Sequence, residues 1–517
     1  MLLKASIYLR SIDHSSHNFL KLSLTILLIL SVLIFLRYPS FILEPRFWGE
    51  ERIYFETFLN TNAWWEGFNT LQYPAYYNLL SRFAGFLSSL VAIEYAPFIT
   101  TFFGFLVLIC PILIILFTES KYWKNLEQKI ILSLFLIFSC STGEIWLNST
   151  NPHFIFPVTT FLILLDENLN NLFKRIFYYF LLIIGILSGP FTLLMSPFFL
   201  YRYLKNREKT VLFYCLIFFI FGLLHLMFFY ISTLMGTGNE NRMLSGSISE
   251  NLSLMGRLIY LIQFNIIFPI FGYFSSFVFR ISMDIANLGV ESSYYYNLLN
   301  ILPNNFGDIF IILVKTLNKV SFLINAVLFS ILGFIFYKLF KSSNLEEKVY
   351  FLFSFIYLSI LISLLSLGGH GGFRYSYLTS FIILFFLYQK FIISKQRLLG
   401  GNLASMLVIV PIFIGIAEYY PRVLSFSPST FFSSTVKVEW PSWKDEIKEW
   451  EVNEEYKPIV WPYIKNKDLI WPERTAIYRV NLNNHDDWDM HGNNTFIGSL
   501  HKLKDINKTT KTNGDLK

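Results

Sequence analysis

Residues 22–36 read LSLTILLILSVLIFL, with Lys21 before them and Arg37 after. Further apolar blocks recur at 96–117, 211–234, 320–337, 349–367, 375–387 and 404–417. A bilayer core about 30 Å thick needs roughly 20 helical residues. Backbone polar groups in lipid must be satisfied internally, so blocks of this length read as helices. Composition agrees: 54% of residues are apolar and only 15% charged. A water-soluble domain carries about a quarter charged residues. The sequence therefore predicts an all-α polytopic transmembrane bundle. The first block has no small-residue cleavage site after it and reads as a retained span.

The net charge of +7 does not point to nucleic acid as a partner, because Lys and Arg fall in short loops between apolar blocks. Those loops set topology. Lys4, Arg10 and Lys21 place the N-terminus inside. The next loop, rich in Glu44, Glu50, Glu51, Glu56 and Glu66, lies outside. Alternation continues with Lys121, Lys124 and Lys129 inside, 141–152 outside, and Lys174 and Arg175 inside. It runs on through a turn at 188–190 outside and Arg202, Lys205, Arg207 and Lys209 inside. Lys338, Lys341 and Lys348 are then inside, 368–373 outside, and Lys390, Lys395 and Arg397 inside. This gives about eleven crossings and an outside C-terminus, or thirteen if 258–278 and 306–317 both cross. Residues 1–418 form the membrane domain, with 38–95 as its first outside loop. Residues 419–480 read as a small outside α+β module and 481–517 as a flexible polar tail.

Chemistry concentrates at three places. Arg46–Glu56 reads RFWGEERIYFE, where adjacent acids follow a Gly at the membrane interface. Such carboxylates act as a general base or hold a divalent cation; a solvated acidic loop is the plainer reading. Residues 73–90 after them read as an interfacial amphipathic helix. The second outside loop gathers Glu144, Asn148, Asn151 and His153. The stretch 368–377, GGHGGFRYSY, offers His370 among glycines and Arg374 for an anion; Arg242 and Arg280 are weaker versions of the same idea. His225, alone in the 211–234 block, reads as a packed side chain. Cys110, Cys140 and Cys215 read as small core residues with no metal spacing.

This order of one span, a large acidic outside loop, an amphipathic helix, about ten further spans and an outside C-terminal module resembles the GT-C-type polytopic glycosyltransferases. The resemblance covers about the first 420 residues. Segments 187–197 (LSGPFTLLMSP) and 371–377 (GGFRYSY) also look like parts of uncharacterised bacterial membrane proteins grouped with that class. The resemblance implies sugar transfer from a polyprenyl-phosphate donor to an envelope glycan, lipid or protein on the outside of a bacterial inner membrane. It assigns Glu50, Glu51 and Glu144 to catalysis, and a divalent metal ion to Glu51. Arg374, His370, Asn148, Asn151, His153 and Arg242 fall to substrate binding. The acidic pair of the class often includes Asp, and Glu50-Glu51 departs from that. A flippase or transporter, a glycan polymerase and a non-catalytic membrane protein are the competing readings. The first of these requires internal repeats and midplane charges, which the sequence does not display.

Overall fold

The computed structural model describes residues 17–37, 39–70, 76–138, 145–234, 265, 330, 333–365, 373–393, 410–413 and 442–453. The longer helices are α1 (His17–Arg37), α2 (Gly49–Asn60), α3 (Leu79–Ser89), α4 (Ala96–Phe117), α5 (Leu126–Phe138) and α6 (Pro152–Leu165). They continue with α7 (Leu172–Leu187), α8 (Ser196–Asn206), α9 (Lys209–Leu234), α10 (Ser354–Leu365), α11 (Tyr377–Tyr388) and α12 (Trp443–Val452). No β-strand occurs among the described residues.

Among the described residues, three helices are long and apolar enough to cross a membrane: Phe19–Arg37, Ala96–Phe117 and Lys209–Ile231. Helix α1 shows how such a helix divides its faces. Phe19, Ser23, Ile26, Leu30, Ile34 and Arg37 recur every three or four positions and are buried. Leu20, Leu24, Leu28 and Val32, equally apolar, are exposed on the opposite side. An apolar outer face suits lipid and not water. Helix α9 repeats the pattern with Phe213, Phe219, Ile220, Met227 and Tyr230 outward. In contrast, every residue of α6 and of α11 is buried, so these two shorter helices form the interior of the bundle.

The loops separate into two ends. At one, Lys121 pairs with Glu167 (2.9 Å) and Glu346 (2.5 Å), Lys205 with Glu346 (2.6 Å), and Lys390 with Glu347 (2.6 Å). Arg202 there holds the carbonyls of Leu164 and Asp166, each at 2.7 Å. These are the basic loops that the charge pattern groups on one side. The other end gathers the first loop, the turn before α6, the 188–190 turn and α12.

The amphipathic segment expected at 73–90 forms α3, capped by Asn78, whose Oδ1 accepts from Ser81 N at 3.3 Å. Its polar residues point inward. Ser81 Oγ donates to Ser149 O at 2.6 Å, and buried Arg82 donates to Gly67 O at 2.7 Å and Thr70 O at 2.5 Å. Phe83 is outward. Where the neighbouring solvent is lipid, the apolar face turns out and the polar face turns toward protein.

In the tail, the described part is a single helix. Trp443, Ile447 and Trp450 of α12 pack on Phe47, Phe55, Ile93 and Ala96. Trp443 Nε1 donates to Ile93 O at 2.9 Å, and Arg46 pairs with Glu446 at 2.9 Å with both side chains buried. The α+β module expected at 419–480, the tail 481–517 and the crossings at 306–317 and 404–417 lie largely or wholly outside the described residues. So does the 258–278 block apart from Asn265, which accepts a hydrogen bond from Thr379 Oγ1 of α11 at 2.5 Å.

Candidate active-site cavity

Helix α2 begins just after an extended Trp48, so Glu50 and Glu51 occupy its first turn, where the N-terminal end of a helix favours carboxylates. Successive residues of a helix point about 100° apart. The two acids therefore cannot serve one point, and the structure divides them.

Glu51 turns into the protein. Its Oε2 accepts from Trp48 N at 2.8 Å and from Thr100 Oγ1 of α4 at 2.9 Å. Its Oε1 accepts from Ser149 N at 2.6 Å. One buried carboxylate thus ties the start of α2, the helix α4 and the turn before α6. Burial pushes the Glu51 carboxyl up to about 7, against the lowering by its backbone donors Ser149 and Trp48. Glu51, expected beside Glu50 as a catalytic acid and a metal ligand, is buried and held by these three protein donors. Among the described residues no three His, Cys, Asp or Glu side chains converge to hold a metal ion. With Glu51 turned away from Glu50 and engaged by three protein donors, the described residues do not fit a metal site at the acidic pair.

Glu50 faces the other way, into a cavity of about 820 Å³. Tyr54, Tyr76, Asn78, Thr150, Asn151, His153, His225 and Tyr375 complete its polar part. Tyr76 links the two imidazoles. Its hydroxyl lies 3.5 Å from both ring nitrogens of His153, and its ring stacks on that of His225 at 6.4 Å between centroids. The remainder of the wall is apolar and comes from the 190–195 turn, α8 and α9: Leu193, Leu194, Pro197, Leu200, Phe218, Phe219, Leu223, Leu226 and Phe229. Lining residues on α9 run from Cys215 to Phe229, about 21 Å along the helix axis at 1.5 Å per residue. Leu200, Phe219, Leu223 and Leu226 of this wall are exposed apolar side chains.

Two glycines set the site's shape. A Cβ on Gly104 of α4 would stand 2.4 Å from both Leu147 C and Asn148 N, so only glycine lets α4 approach this turn. Gly189 has φ of +156°, and a Cβ there would stand 2.3 Å from His153 Cβ. Asn148 does not line the cavity. It folds the turn, with Oδ1 accepting from Asn151 N and Thr150 Oγ1, each at 3.0 Å. Asn151 and His153 do line the cavity. Arg374 belongs to the turn Phe373–Ser376, next to the lining residue Tyr375. The Arg374 side chain, Glu144, His370, Arg242 and Arg280 lie outside the described residues.

Sequence reasoning missed Tyr54, Tyr76, Asn78 and Tyr375, which carry no signal beyond an aromatic or polar residue in a loop or helix. It also set aside His225, although a lone ionisable residue inside a long apolar block is itself a functional signal. Comparison with protein-family models, with curated proteins and with solved structures finds no match for this chain.

Proposed function

We propose that this chain is a membrane glycosyltransferase of GT-C type. It takes a sugar from a polyprenyl-phosphate donor and passes it to an envelope glycan, lipid or protein. The observation that carries this reading is the two-part cavity: a carboxylate, Glu50, at the polar end and an apolar groove along α9 at the other. A lipid-linked sugar has the same two-part character. Its chain enters from the bilayer along the groove, and its sugar reaches the polar end.

Glu50 acts as general base. It takes the proton of an acceptor hydroxyl as that oxygen attacks the anomeric carbon. The bond between the anomeric carbon and the phosphate oxygen breaks, the polyprenyl phosphate leaves with the electron pair, and the anomeric centre inverts. Asn151 and His153 orient the sugar hydroxyls, while neutral hydrogen-bond donors around the leaving oxygen stabilise its charge. No step is routed through a metal.

The topology is part of the proposal. The end rich in Lys and Arg is cytoplasmic, following the positive-inside tendency, and the end with the first loop and α12 is extracytoplasmic. The chain makes about eleven crossings of a bacterial inner membrane.

Purified full-length protein in proteoliposomes, supplied with a radiolabelled polyprenyl-phosphate sugar and envelope extract, tests the reading. Glu50→Gln is expected to lower transfer by about 10²- to 10⁴-fold, the usual worth of a general base. Unchanged transfer by that variant, or no transfer by the wild type with any polyprenyl-phosphate sugar, counts against it.

A further inference from the structure

His225 is 2% exposed and stands on α9, inside a helix long and apolar enough to span a bilayer. The Ile186 backbone offers the ring a hydrogen-bonding contact, but among the described residues neither Nδ1 nor Nε2 reaches full hydrogen-bond geometry. Burying an incompletely satisfied imidazole costs free energy, and in a membrane span that cost is rarely borne without use. The ring lines the cavity.

Its position along the groove is specific. Toward the charged end, Gly222, Phe219, Phe218 and Cys215 continue the wall as apolar or small surface. A Cβ on Gly222 would meet Leu193 Cδ2 at 3.0 Å, so glycine keeps this part of the groove open. On the other side of His225 stand Tyr76 and, beyond it, His153. The α9 wall runs on past His225 through Leu226 and Phe229, and within that wall His225 is the side chain that meets Tyr76 of the polar end. In a lipid-linked substrate, the polar group that follows the apolar chain is the phosphate. A neutral imidazole offers it one N–H. Glu50, the only carboxylate among the described lining residues, lies at the polar end and is kept for the acceptor hydroxyl.

We propose that His225 is the phosphate-recognising residue of an isoprenoid-phosphate site, donating a hydrogen bond to a phosphate oxygen while the chain lies along α9. This rests on the lipid-linked reading of the cavity. Equilibrium binding to full-length protein in nanodiscs, with farnesyl phosphate, farnesol and inorganic phosphate as probes, tests it. Wild type is expected to bind farnesyl phosphate about tenfold more tightly than farnesol, the worth of one hydrogen bond to a charged group. His225→Phe should remove that preference and leave farnesol binding intact, which also reports that the groove is folded. His225→Gln, which keeps an N–H donor, should restore most of it. If the preference survives in His225→Phe, or if inorganic phosphate alone competes as well as farnesyl phosphate, the assignment of His225 is overturned while the groove remains. If neither farnesyl compound binds wild type, the assignment and the lipid-linked reading fall together.

Discussion

The two ends of the bundle differ in how much of their polarity meets solvent. At the basic end an outer ionic network lies near the surface, with Lys121 and Lys205 38% and 42% exposed while sharing Glu346, above buried Arg202 and Lys129. At the other end, Glu51 and Asn78 are buried and fixed by specific hydrogen bonds. Glu51 accepts three hydrogen bonds, and Asn78 Nδ2 donates to Thr150 O at 3.0 Å. A screened charge in water costs little and is worth little. A polar group under an apolar roof must be satisfied by the protein or reserved for a ligand. The exposed network of Lys121, Lys205 and Glu346 is thus tolerant of change, and the buried Glu51 cluster is not.

The sharpest break of this comparison is functional. Glu50→Gln should remove about 10²- to 10⁴-fold of transfer with the fold intact, while removing the exposed charge of Lys121 or Lys205 should leave transfer near wild type. The next largest effect lies in stability. Arg46→Ala strands Glu446, its buried partner at 2.9 Å. Breaking one side of such a pair costs about 3–5 kcal/mol. A marked drop in melting temperature is expected, and an unchanged melting curve would show that α12 does not dock on the first loop.

Glu51 gives a smaller, pH-dependent effect. Its folded carboxyl titrates near about 7, above the ordinary 4.5. The folded state therefore holds the proton more tightly. The stability this supplies is fully present below about pH 4.5 and is lost as pH rises through about 7. Glu51→Gln cannot titrate, so the wild-type melting temperature should fall relative to that variant's across this window. Parallel curves would remove the role assigned to burial. The smallest effect is at the other end. Lys205→Ala loses a pair with Glu346 that is 42% and 22% exposed, and should cost under about 1 kcal/mol in a melting measurement.

How much was legible depended on the range of the interaction. The long helices at 19–37, 96–117 and 209–231 follow from local composition, because length and apolarity alone fit a segment to a bilayer. The grouping of Lys121, Lys205 and Lys390 at one end was equally readable, since charge in short loops is a local property. The loop around Glu50 and the turn with Asn151 and His153 stood out as polar clusters between apolar blocks. Their side chains' directions did not. Glu50 and Glu51 are chemically identical neighbours, and the helix separates them by about 100° whatever surrounds it.

The sequence by itself therefore determined that this chain is helical, that parts of it suit a membrane, and where its unusual polar residues fall. Only the tertiary structure decided which acid faces the cavity. That choice is made by Thr100 and by Ser149, a residue 98 positions from Glu51 whose amide closes on its Oε1. It likewise decided that Trp443 finishes on the carbonyl of Ile93, 350 positions away, and that His225, stacked on Tyr76, lines a cavity. The physical reason is common to all three. A buried polar group takes its role from the groups that surround it, and chain folding alone brings those together.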